Sequence, residues 1–299
     1  MHRFVPSRRS LCSMMLGSVL GLVAALPAQA EGDAAAAKRN VNLSALQTML
    51  AQQVSKAACF AALGIHPQAQ ARYLRGAHEL FERTRVGLRE GNSALGLLPE
   101  TRQSLLLGLD RVDRTATAWT SMVNAVPEDG SISEAVLGSL LHTGEAVSLE
   151  TQAAAVRSER AYGAGQQFAL STSLRLSIAG RQRVLSQRIA KDFCLIALGH
   201  EAEKHRAALA EAVKLFDDSQ TALIEGFAAF GLPAESDPEV LSELQFVAKI
   251  WAQIRPALVA VAAGQAPSQA GIEDVAWQNN LILVQMNKAV FAYERGAES

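Results

Sequence analysis

Arg183, Gln187 and Cys194 recur at spacings that put them, with Ala190, within about 60° of one another on a helix advancing 100° per residue. A guanidinium, an amide and a thiol in one stripe offer two kinds of chemistry. The arginine calls for a carboxylate or a bound anion, because taking its charge out of water without a partner costs several kcal/mol. The thiol can enter a disulfide. A second stripe, Thr48, Gln52, Ser55 and Cys59, has the same spacing. Such stripes hold too many polar atoms for an ordinary bundle core, where an unpaired polar group costs roughly 1–3 kcal/mol. They suit a contact between two bundles.

The two stripes are offset by 135 positions, and the offset extends well beyond them. Laid over each other without a gap, residues 47–97 and 182–232 are identical at 18 of 51 positions, among them Gln47/Gln182, Lys56/Lys191, Cys59/Cys194, Gly64/Gly199, Phe81/Phe216 and Gly91/Gly226. Alanine- and leucine-rich helices can share residues by chance, but not paired Cys, Lys, Gln and Gly in one register. Self-similarity at a fixed period marks a repeated structural unit, so the chain reads as a tandem duplication.

The elements that must position the stripes are helical. Almost no segment alternates with a strand's period, and the chain is rich in Ala, Leu, Glu, Gln and Arg. The fold class is therefore all-α: two tandem four-helix up-down bundles forming a pseudo-dimer. Helices are expected at about 42–63, 67–90, 99–126 and 132–160, then at about 170–198, 201–229, 238–263 and 269–295. Gly64, Gly91, Gly199 and Gly226 stand where a left-handed residue closes a helix. Ser236-Asp237-Pro238 reads as a cap followed by a first-turn proline, and Ser131 to Glu134 has capping-box spacing. Tyr162-Gly163-Ala164-Gly165 is the natural place for the chain to reverse. A reversal stands the bundles side by side with their first helices parallel; a straight run strings them end to end.

Residues 1–30 read as a signal peptide. Arg3, Arg8 and Arg9 precede an apolar run from Met14 to Leu26, and Ala28-Gln29-Ala30 is a small-residue cleavage site. An uncleaved anchor is the alternative, although the run is short against the roughly twenty residues of a membrane span. The remainder divides into repeat one, 31–163, and repeat two, 164–299, each of ordinary domain size. Without the three leading arginines, 25 basic residues face 29 acidic ones, which disfavours a nucleic-acid partner. In a periplasmic setting Cys59 and Cys194 can pair, or they can remain two buried thiols.

Ile178 to Lys191, IAGRQRVLSQRIAK, resembles the AGRQRMLSQRMAK signature of the PilJ-type sensor domain. That domain is the periplasmic four-helix module shared by type IV pilus chemoreceptors and NarX-like nitrate/nitrite sensor kinases. The likeness extends through residues 170–295, where Met286-Asn287 and Tyr293-Glu294 are similar to the family's ending. It implies a small oxyanion ligand, nitrate or nitrite first, held by Arg183, with Gly180 letting the helices approach and Gln187, Thr48 and Gln52 supplying further polar groups. A planar guanidinium suits a planar oxyanion through two parallel hydrogen bonds. Repeat one departs from the pattern: Leu46, Thr48 and Gln53 stand where repeat two has Arg181, Arg183 and Arg188. A pseudo-dimer would thus hold one arginine where a homodimeric sensor holds two, and a homodimer through repeat two would restore the pair. Arg181, Arg188 and Lys191 read as solvated or locally paired charges, and Arg183 has a structural ion pair or hydrogen bond as its competing role.

No Glu-x-x-His, Cys-x-x-Cys-His or close cysteine pair occurs, so no metal or other cofactor is expected. His200 and His205 read as a solvated turn on opposite helix faces, and Trp119, Trp251 and Trp277 as core or bundle contacts. No nucleophile-base constellation or phosphate loop can be assembled, so no enzymatic activity is expected. Two functions stay open: a periplasmic binding protein that captures a small oxyanion and relays it to a membrane-bound sensor kinase or chemoreceptor, and a ligand-free helical interaction module for such a receptor or a type IV pilus component.

Overall fold

The computed structural model describes residues 25–163 and 170–295. Among these residues the fold is all-α, with eight helices and no strand. The first half contains α1 (Ala25–Ala62), α2 (Pro67–Glu90), α3 (Gln103–Asn124) and α4 (Glu134–Gly163). The second contains α5 (Leu170–Ala197), α6 (Ala202–Glu225), α7 (Pro238–Ala262) and α8 (Gln269–Arg295). The starts of α6, α7 and α8 each lie 135 positions after those of α2, α3 and α4. The details between helices repeat too. Asn92 bridges Leu97 as Phe227 bridges Leu232, and His66 and Glu201 are the non-glycine residues with positive φ among those described.

Each half closes on an apolar core because its helices carry one apolar stripe. On α2, Leu74, Ala77, Phe81 and Leu88 are buried at helical spacing; on α6, Leu209, Ala212, Phe216 and Leu223 repeat them. Phe81 meets Trp119 edge-to-face at 4.9 Å, whereas Phe216 meets Trp251 at 4.1 Å. The tryptophan has moved by one helical turn between α3 and α7, and the core has repacked around the shared phenylalanine. The shared Gln47 and Gln182 lie inside the halves, donating to the carbonyls of Phe81 and Phe216, both at 3.2 Å, which ties α1 to α2 and α5 to α6.

Several expected boundaries shift. α1 starts at Ala25 rather than near 42, since 33–42 is alanine-rich and contains no helix breaker. α6 ends at Glu225, not 229, because Gly226 takes φ +82°; a Cβ there would lie 2.5 Å from the Ala234 nitrogen. Gly91 does the same in the first half, against Pro99 at 2.8 Å. The capping box at Ser131 does not form. Ser133 Oγ accepts from the Val136 amide, while Ser131 bonds Asp129. Asp237 does cap α7, accepting from the amides of Glu239 and Val240. Trp277, expected in a core or bundle contact, is 62% exposed.

The halves stand side by side. Ala45 on α1 faces Gly180 on α5, and Cys59 faces Cys194, so both contacts keep the 135 offset and the helices run parallel. α4 runs antiparallel to α1, with Gly144 against Ser55 and Ser148 against Gln52. Chain direction therefore reverses between Gly163 and Leu170. Ala164 and Gly165, part of the expected reversal, lie outside the described residues.

Candidate functional site

The two polar stripes meet in the seam between α1 and α5. At one level Cys59 and Cys194 form a disulfide with Cα atoms 6.1 Å apart. Within 4 Å of a Cβ built on Gly180 lies the Ala45 methyl at 3.5 Å, an ordinary contact, so alanine would fit there and the glycine is not what allows the approach.

Arg183 is 1% exposed. Its Nη2 donates to Asn42 Oδ1 at 2.8 Å and its Nη1 to Asn287 Oδ1 at 3.1 Å, while Nε is buried without a partner. Among the described residues no carboxylate touches it. Glu294 stands one residue behind, accepting from Asn42 Nδ2 at 2.8 Å and pairing with Arg39 at 2.5 Å. Burial pushes the guanidinium down to about 10, and Glu294 partly opposes that shift. A buried cation thus rests on two neutral amides, with its counter-charge held at second hand.

The other expected ligand residues line the same seam. Thr48, at the Arg183 position of the first half, is buried with its hydroxyl unpartnered. Gln52 donates to Ser148 at 3.0 Å and Gln187 to Ser186 at 3.1 Å, and the amide oxygens of both lack partners. Arg181 pairs with Glu159, Arg188 with Asp192 one turn on, and Lys191 with Glu145. His205 is not solvated: its Nδ1 lies 2.9 Å from Asp192, and its ring is 6.3 Å from that of His200. His200 sits in the turn before α6, so five residues of regular helix do not separate the pair.

Sequence reasoning missed Asn42 and underused Asn287 and Glu294. The last two are seven residues apart on α8, a spacing that puts them on one face. It also missed Lys56, whose buried ammonium donates to Asn279 at 3.0 Å and Asn280 at 2.8 Å across the seam. Burial pushes that amine down to about 7. Among the described residues no group of three or more His, Cys, Asp or Glu is arranged to hold a metal, and no helix is long and apolar enough to cross a membrane.

Residues 168–274 match the PilJ family. The family is described as the N-terminal region of type IV pili methyl-accepting chemotaxis transducers, and the match covers α5, α6, α7 and the start of α8, including Arg183. The chain is also 30% identical over 124 residues to methyl-accepting chemotaxis protein McpN of Pseudomonas aeruginosa. That likeness covers 42% of this chain and 22% of the relative, so the chain spans about a fifth of that protein's length. No solved structure matches at a significant level. The likeness to a chemotaxis-transducer N-terminal region thus falls on the second half of the chain.

Proposed function

We propose that the molecule is a periplasmic sensor-type binding protein, built by duplication of one four-helix unit, whose α1/α5 seam captures a small oxyanion, nitrate or nitrite first. It then engages a membrane-bound chemoreceptor or sensor kinase. The observation that carries this reading is Arg183, a buried cation with an unpartnered Nε and only neutral amides in contact. Thr48, at the equivalent position on the facing helix, is a buried hydroxyl without a partner. An anion entering here would replace an amide oxygen at the guanidinium, exchanging a neutral acceptor for a charged one and supplying the counter-charge that a buried cation needs. The PilJ match over 168–274 and the transducer relative support a sensory role without catalysis.

Thermal unfolding against nitrate, nitrite, sulfate and chloride at constant ionic strength tests it. Saturation at a hundred times the dissociation constant should add about 2.7 kcal/mol of stability, specific to one oxyanion and absent in Arg183→Met. A shift of equal size in that variant would sink the seam as the binding site.

A second reading has its own support. Both terminal nitrogens of Arg183 are already bonded, and the equivalent position is Thr48. On this reading the seam is structural and the module contacts its receptor, a pilus component or another copy of itself without a small ligand. A stable partner complex formed in oxyanion-free buffer, together with no oxyanion shift, would favour it.

A further inference from the structure

The outer face of α8 carries side chains that the fold does not use. Trp277, Leu281, Val284, Lys288, Phe291 and Arg295 follow one another at alternating spacings of four and three residues. On a helix advancing 100° per residue they share an arc of about 80°. The inward face holds Val275, Ile282, Met286 and Val290, all buried in the second-half core. The outward arc is open: Trp277 is 62% exposed, Val284 50% and Phe291 37%, with Leu281 partly buried. Phe246 on α7, 45% exposed, widens the patch. It lies within about 60° of Glu239 and Glu243 on its helix, and those two reach across to Arg295 at 2.8 Å and Lys288 at 3.6 Å. Scattered exposed apolar residues are ordinary, but a contiguous patch marks a contact surface, and a four-three spacing is that of a helix packed along another helix.

The order of residues along the arc names the occupant. A second copy turned 180° about an axis through Val284 lies antiparallel, and each residue meets the one equally far on the other side of that axis. Trp277 then meets Phe291 of the second copy, and Val284 meets its own equivalent. Exposed Glu273, in the same arc one turn before Trp277, meets Arg295 of the second copy, an acid against a base. Lys288 lays its apolar stem beside Leu281. An aromatic pair and an ion pair therefore recur on both sides of the axis, which is the self-complementarity that an isologous contact requires. The first half does not have it. At the 135 offset α4 carries Gly138, His142 and Val156 in place of Glu273, Trp277 and Phe291.

We propose that this face of α8 is a homodimer interface, two copies packing antiparallel about Val284. It leaves the α1/α5 seam enclosed within each chain, so it does not depend on what the seam binds. From Glu273 to Arg295 the contact is about 33 Å long at 1.5 Å per residue. A single helix pair of that length lies at the small end of specific interfaces, so a dissociation constant on the order of micromolar is expected.

Sedimentation equilibrium of the purified protein from about 1 to 100 µM tests the proposal, and a monomer–dimer equilibrium is expected. Val284→Glu sets two carboxylates on the axis and should leave a monomer; the position is half-exposed, so circular dichroism should show an intact fold. Trp277→Ala should weaken the dimer at least about thirtyfold, because the side chain is used twice. Glu273→Arg should weaken it about tenfold, and Arg295→Glu added to it should restore the affinity. Cross-linking then locates the axis. In a Cys12→Ser background, Val284→Cys should form a disulfide-linked dimer under mild oxidation, whereas Leu149→Cys, similarly exposed on α4, should not. A monomer throughout the concentration range, a dimer unaffected by Val284→Glu, or equal cross-linking at the two positions would each overturn it.

Discussion

Lys56 and Lys191 occupy the same position in the two halves, and each reaches across the seam to the other half's last helix. Lys191 meets Glu145 on α4; Lys56 meets Asn280, which stands 135 residues after Glu145, on α8. The contact is the same and its chemistry differs. One side pairs charge with a half-exposed carboxylate, the other surrounds a fully buried ammonium with two amides. The acids behind the seam diverge in the same way. Glu159 bonds Ser177 and pairs with Arg181, whereas its equivalent Glu294 bonds Asn42 and pairs with Arg39. The two-fold geometry is thus kept by backbone and shape, while the way charge is paired differs between the two sides. The buried, poorly answered cations, Arg183 and Lys56, both gather against α8.

Equivalence of the cores is open to the largest test. Phe81 and Phe216 are both fully buried, so alanine at either should cost about 3–5 kcal/mol, read from urea unfolding followed by circular dichroism. A loss confined to one of them would break the equivalence. The lysines should then separate. Lys56 titrates at about 7 in the fold against 10.5 when unfolded, so between those values the unfolded state binds more protons and stability rises with pH, by roughly 1 kcal/mol per pH unit. Below about pH 7 its contribution levels off. Unfolding midpoints from pH 7.5 to 9.5 should lose this slope in Lys56→Met and keep it in Lys191→Met; the reverse pattern would overturn the assignment. The smallest difference lies at the caps. Asp237 caps α7, while Arg102 at the same place on α3 makes no side-chain cap. Asp237→Ala should cost about 1 kcal/mol, measurable as a shift in urea midpoint. An unchanged midpoint would remove the cap as a point of difference.

Much of this was legible from residues. The 135 register located seven of the eight helix starts to within four residues, because glycines and prolines punctuate both halves alike. The stripe argument brought Arg183, Thr48, Gln52, Gln187 and both cysteines to one seam, since polar residues at helical spacing need a polar surface to face. Other features depend on what lies opposite in space. Asn42 could not be read as the partner of Arg183, because its role follows from how far α5 sits around α1. His205 became a buried partner of Asp192 through the turn at Glu201, where helical periodicity does not apply.

The Cys59–Cys194 bond joins the halves at the end of the seam far from Gly163. With the peptide between 163 and 170 it closes residues 59–194 into a covalent ring. Either link alone keeps the halves covalently joined, so a single cut between Gly163 and Leu170 would leave one covalent molecule under oxidising conditions and two separate polypeptides after reduction and denaturation. The peptide connection is redundant while the disulfide stands, which makes this chain the covalent equivalent of a disulfide-linked dimer of unlike subunits.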